Sequence, residues 1–124
     1  MRVKRHYIKE RNLIRTKIFG EMADPHLFRH LLANKGEAEG PSDFKQLVDF
    51  RDVGCMKGLT VRAVTEYAKR EPERTGSLLV LLIPDSPLHF GMARAYQTFV
   101  TEKRKSVEIF TDLDSAEAWL QSRM

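Results

Sequence analysis

Ser77-Leu78-Leu79-Val80-Leu81-Leu82-Ile83, followed directly by Pro84-Asp85-Ser86-Pro87, decides the architecture. After Ser77 no side chain in the run carries a polar atom, so a strand formed there is apolar on both faces and must be covered on both. That is the pattern of a central strand in a largely parallel sheet flanked by helices, and the chain reads as an α/β domain. The run is far shorter than the roughly 20 apolar residues a bilayer span needs, so it is core and no membrane span is expected.

The 124 residues suit one domain covering 1–124. Cys55 is the only cysteine, so no internal disulfide is available, and basic Met1-Arg2-Val3-Lys4-Arg5 is followed by no apolar segment of the signal-peptide kind. A cytoplasmic location is the resulting expectation. The charge of +4 is the small difference between 21 basic and 17 acidic residues, which describes a solvated mixed surface.

Outward from the apolar run, Tyr7 to Glu10 and Leu13 to Phe19 are predicted strands of a peripheral hairpin around Arg11-Asn12. In the second strand Ile14, Thr16 and Ile18 alternate with Leu13, Arg15, Lys17 and Phe19. Asp24 and Pro25 open a helix striped with Leu27, Phe28, Leu31 and Leu32 up to Gly36, and Lys35 to Asp43 is a surface loop. Phe44 to Val53 alternates as a third strand. Thr60 caps a helix built on Val61, Val64, Tyr67 and Ala68, which ends near Pro72 and Gly76.

Beyond the apolar strand, Ser86 and Pro87 repeat the cap-then-proline device, and Leu88, Met92, Ala95, Tyr96, Phe99 and Val100 mark the expected buried stripe. Lys103-Arg104-Lys105 suits the negative end of that helix's dipole. Val107 to Phe110 is a last strand. Asp114 with Glu117 has the spacing of a capping box, Leu113 with Ala118 that of a staple, and Ala116, Trp119 and Leu120 form the buried side of a final helix. The expected order is ββαβαβαβα, a mixed and largely parallel five-stranded sheet with flanking helices.

That order, with Val48-Asp49-Phe50-Arg51-Asp52-Val53, Leu79 to Asp85, Gly91-Met92-Ala93-Arg94 and above all Ile109 to Leu120 with its Ala-x-x-Trp-Leu ending, resembles the STAS/SpoIIAA-like family of small bacterial proteins. The resemblance implies a mixed STAS-like sheet with helices packed on it, close to that of anti-sigma-factor antagonists, in a family many of whose members have no assigned biochemistry. In those antagonists a phosphorylatable serine follows an aspartate at the start of the helix after the third strand. Lys57 and Gly58 stand at the matching positions here, so the motif is absent. Thr60 is the one hydroxyl nearby, and it reads first as a helix cap.

Open α/β sheets gather ligands at the carboxyl ends of their strands, where strand order reverses. The loops expected there carry Asp52, Cys55, Lys57, Thr60, Asp85, Ser86, His89 and Asp112, and the first seven of these are the candidate binding residues. No nucleophile motif surrounds Cys55, and no phosphate loop, Rossmann glycine pattern, nucleophile elbow or zinc-finger spacing is present, so neither a cofactor nor an enzymatic activity is expected. His26 and His30 share the i, i+4 spacing of paired metal ligands without a third ligand. Arg2, Lys4, Arg5, Lys9, Arg11, Arg15 and Lys17 crowd the hairpin with little aromatic interleaving, a pattern that protects an edge strand better than it binds nucleic acid. The leading reading is a non-enzymatic regulatory module that docks a protein partner or a second copy of itself. The alternative, from a different class, is a small carrier or small enzyme that holds an apolar or anionic molecule between the third helix and the sheet.

Overall fold

The computed structural model describes residues 1–26, 29, 44–71 and 73–123. Its elements are β1 (Arg2–Ile8), β2 (Leu13–Glu21), β3 (Lys45–Cys55), α1 (Val61–Arg70), β4 (Arg74–Leu82), α2 (Pro87–Val100), β5 (Arg104–Phe110) and α3 (Leu113–Gln121). Short 3-10 turns occupy Lys9–Arg11 and Thr101–Lys103. This order differs from ββαβαβαβα between the second and third strands. Residues 24–26 are helical, while the expected stripe Leu27, Phe28, Leu31 and Leu32 and the loop from Lys35 to Asp43 lie outside the described residues.

The sheet has five strands in the order β1-β2-β3-β4-β5. β1 runs antiparallel to β2, and β2, β3, β4 and β5 are mutually parallel. Because each parallel strand is added on the same side of the last, right-handed crossovers put α1 and α2 on one face. There Val48, Leu79, Leu81, Ile83 and Val107 meet Ala63, Val64, Ala68, Ala93 and Val100. On the opposite face α3 covers Leu13, Leu47 and Val80 with Ala116 and Leu120. β4 is therefore sandwiched, as its sequence requires, with Leu79, Val80, Leu81 and Leu82 no more than 2% exposed.

β1 begins at Arg2, five residues before the expected start. Arg2, Lys4 and His6 alternate with Val3, Arg5 and Tyr7, and an edge strand with a solvated face needs no apolar series on that side, so charge hides its period. Asn12 turns the chain in the left-handed region (φ 48°), and its carboxamide oxygen accepts a bond from the Tyr7 hydroxyl at 3.0 Å.

Helix ends were also set by different residues than expected. α3 is capped by Asp112, which accepts from the Ser115 amide at 2.8 Å, and not by Asp114. Glu117, expected to close a capping box, instead receives Arg11 at 2.7 Å and Arg15 from the hairpin. Ser86 precedes α2, yet its side chain makes no cap bond. The expected stripe of α2 holds at Met92, Ala95, Tyr96 and Val100, which are buried or pack against the core, but Leu88 is 53% and Phe99 38% exposed, and Ala93 and His89 turn inward instead. Small Ala93 faces the strands because the helix must approach them closely, a preference that hydrophobicity alone does not report.

Lys103 and Arg104 do not serve the dipole of α2. Lys103 donates to the carbonyls of Ala68 at 3.0 Å, of Lys69, and of Glu71 at 2.7 Å, so it closes the end of α1. Arg104 opens β5 and is buried.

Leu81→Asp is expected to prevent folding, since an unpaired charge between two helices and a sheet finds no compensation; circular dichroism showing a cooperatively melting variant would overturn the layer assignment. Leu120, fully buried, anchors α3, while Trp119 is half-buried against Phe110 (ring centroids 6.2 Å apart). Leu120→Ala should lose about 2–5 kcal/mol in urea titration and Trp119→Ala less than the full core-truncation value.

Candidate functional site

Beneath α1 and α2 lies a cleft of about 120 Å³. Its floor is one face of the sheet: Thr16 and Ile18 from β2, Gln46, Val48 and Phe50 from β3, Leu79 and Leu81 from β4. The strands present these residues together because β2 and β3 pair Thr16 with Val48, and β3 and β4 pair Val48 with Leu81, in register. Val64 and Tyr67 of α1 and His89, Met92, Ala93 and Tyr96 of α2 form the helical wall. Four of the chain's five methionines, Met1, Met22, Met56 and Met92, line it. Unbranched thioethers repack around different shapes, so methionines are common where a binding surface must adapt.

The polar end of the cleft is already paired. The Tyr96 hydroxyl donates to Glu71 Oε1, Arg104 Nη2 donates to Glu71 Oε2 at 3.2 Å, and Arg104 Nη1 donates to Ser77 Oγ at 3.0 Å. Arg104 and Glu71 side chains are only 4% and 11% exposed. Tyr67 stacks obliquely on Tyr96 with centroids 6.2 Å apart. Burial, and then the nearby Glu71 carboxylate, push both phenols well above their ordinary pKa, so they remain neutral across the physiological range.

The seven candidate binding residues sit at or near the carboxyl end of the parallel strands, but only His89 lines the cleft. Its Nε2 bonds the Val53 carbonyl at 3.1 Å. Asp52 pairs with Lys17 at 2.9 Å on the surface. Cys55 is exposed at the end of β3, and its carbonyl accepts from the Met22 amide at 2.9 Å. Lys57 and Asp85 are exposed, the first in the turn after β3 and the second in the bend before α2. Thr60 caps α1 by accepting from the Ala63 amide at 3.1 Å, and its own amide and hydroxyl donate to the Asp24 carboxylate, each at 2.8 Å. Asp24, expected as the cap of its own helix, thus ties residues 22–24 to the loop before α1, with a further bond from its amide to the Gly58 carbonyl at 3.1 Å.

Gly58 has no room for a side chain: a Cβ there would stand 2.9 Å from the Cβ of Ala23. His26 Nδ1 accepts from the Ala23 amide at 3.0 Å, and His30, four residues on, lies outside the described residues. Among the described residues no group of three His, Cys, Asp or Glu side chains is placed to hold a metal ion, and no helix is long and apolar enough to cross a membrane.

Sequence reasoning placed the site where strand order reverses. The parallel strands run 2-3-4-5 without a reversal, so the crevice that such a reversal opens does not form, and the cavity lies under the helices instead. Comparison with known proteins adds no relative: no family model matches the chain, and neither does any curated protein or solved structure.

On the other face Asp49 holds Arg51 by two side-chain bonds at 3.1 and 3.0 Å and accepts its amide at 2.9 Å. Burial pushes the Asp49 carboxyl up, but the Arg51 bonds outweigh it and hold the group below its ordinary 3.8. The stabilisation is complete above that ordinary value and is lost as pH falls through the lowered one. Asp49→Asn should therefore cost about 1 kcal/mol at pH 7, a figure reduced for the partly exposed Arg51, and close to nothing near pH 2, as read from urea midpoints at the two pH values. Gly58→Ser should destabilise by about 1–3 kcal/mol through overpacking against Ala23, checked by the same titration.

Proposed function

We propose that this protein binds a small, largely apolar molecule in the cleft beneath α1 and α2 and holds it without converting it. The observation that carries this reading is a cavity of about 120 Å³ whose walls are apolar or already hydrogen-bonded along most of their length and include four methionines. Native interiors pack to a density that leaves few voids larger than a water molecule, and apolar cavities of comparable size take up single aromatic rings. A void of this kind lowers stability in proportion to its volume. An occupant would restore the missing contacts.

Toluene should bind with Kd about 1 mM or below, read by calorimetric titration, and should raise the melting temperature in proportion to its saturation. Ala93→Leu, which projects three more carbons into the cleft, should remove that binding. Toluene that neither binds nor protects wild-type protein would overturn the proposal.

A second reading, the protein-docking module of STAS-like type, is favoured by a separate observation. Val61, Leu88 and Phe90 are 54%, 53% and 49% exposed, and all three lie in the first turn or so of α1 or α2, at the sheet end that also carries the loop from Gly54 to Thr60. If this end joins two copies of the chain, sedimentation should show a dimer that Leu88→Ser with Phe90→Ser dissociates. A monomer at all concentrations would leave the cleft as the better account.

A further inference from the structure

Two polar atoms of the cleft residues are sealed from solvent without a hydrogen-bond partner among the described residues: Thr16 Oγ1 and His89 Nδ1. Both residues line the cavity, and Thr16 is only 3% exposed. Native proteins leave few such atoms, and each one carries the full penalty of its lost hydration. Glu71 is engaged by Arg104 and Tyr96, so among the atoms sealed within the lining these two have hydrogen-bonding capacity to spare.

Their chemistry narrows the ligand. The Val53 carbonyl can only accept, so in a neutral ring His89 Nε2 carries the hydrogen and Nδ1 presents a lone pair. A threonine hydroxyl accepts as well as donates. A ligand hydroxyl is thus a donor that either atom can receive. A carboxylate has no proton to give Nδ1; a hydrocarbon leaves both atoms unmet. The volume of about 120 Å³ is near that of engineered apolar cavities which admit benzene.

Resting on the cleft reading above, we propose that the cleft selects an uncharged, single-ring molecule bearing a hydroxyl group, a phenol in preference to a hydrocarbon or an acid of the same skeleton, and that the hydroxyl donates to Thr16 Oγ1 or His89 Nδ1. Sites that hydrogen-bond a substrate hydroxyl discriminate against analogues lacking it because their own buried groups are then left unpaired.

The test titrates the full chain with phenol and toluene, which have closely similar outlines, and with benzoate, the larger acid on the same ring. Phenol should bind about tenfold more tightly than toluene, with benzoate weaker than phenol. Thr16→Val, which keeps the outline and removes the hydroxyl, or His89→Leu should abolish the phenol preference while toluene still binds. Toluene binding as tightly as phenol to wild-type protein overturns this inference and leaves the cleft reading standing, as does a phenol preference that survives both substitutions. If none of the three binds, the cleft reading falls and this inference with it. The wild-type comparison decides the matter even where a variant fails to fold.

Discussion

The cleft depends on a buried ion pair. Arg104 starts β5, Glu71 ends α1, and Tyr96 lies midway along α2; one carboxylate accepts from both of the others. Removing two such charges from water is expensive, and a hydrocarbon replacement of equal volume would often be as stable or better. What the pair supplies is position. Glu71 has partners only where the end of α1 stands against α2 and the sheet edge, and Lys103 fixes the same end by taking three of its carbonyls. With that end pinned by polar contacts, the cavity opens between the two helices and the faces of β2, β3 and β4.

Much of this fold was legible residue by residue. Leu78 to Ile83 declared a strand covered twice, and the alternations of β2 and β3 assigned the correct faces: Thr16, Ile18, Gln46, Val48 and Phe50 to the cleft side, Leu13, Leu47 and Asp49 to the other. Thr60 was readable as a cap because its side chain acts within one helical turn. The errors share a cause, which is reach. Glu117 reads as a local capping partner until Arg11 and Arg15 arrive from more than a hundred residues away. Arg104 reads as a turn cation until Glu71 and Ser77 surround it. A long charged side chain takes its meaning from tertiary neighbours, and no window of sequence contains them.

The site was harder still. Its lining comes from four strands, two helices and the segments that join them, so no spacing announces it. Of seven residues proposed from the strand ends, His89 alone faces the cavity. A weak signal existed all the same: methionine is scarce in most sequences, and here Met22, Met56 and Met92 punctuate three different connections or helices on the same side of the sheet. Gly58 carries a comparable lesson, since a glycine in a turn looks like conformational freedom, yet here its virtue is the absence of bulk against Ala23.

The clasp between the hairpin and α3 bears on how the chain is made. Arg11 and Glu117 are 106 residues apart, and the same contact region seals Leu13, which is wholly buried in the finished protein. During synthesis at about 5–20 residues per second, Leu13 and its neighbours wait roughly 5–20 s for the helix that covers them. The arginines and lysine of β1 are well suited to that interval, because an unfinished sheet edge carrying Arg2, Lys4 and Arg5 repels its own kind on a crowded ribosome. The basic hairpin thus protects the protein most before it has become one.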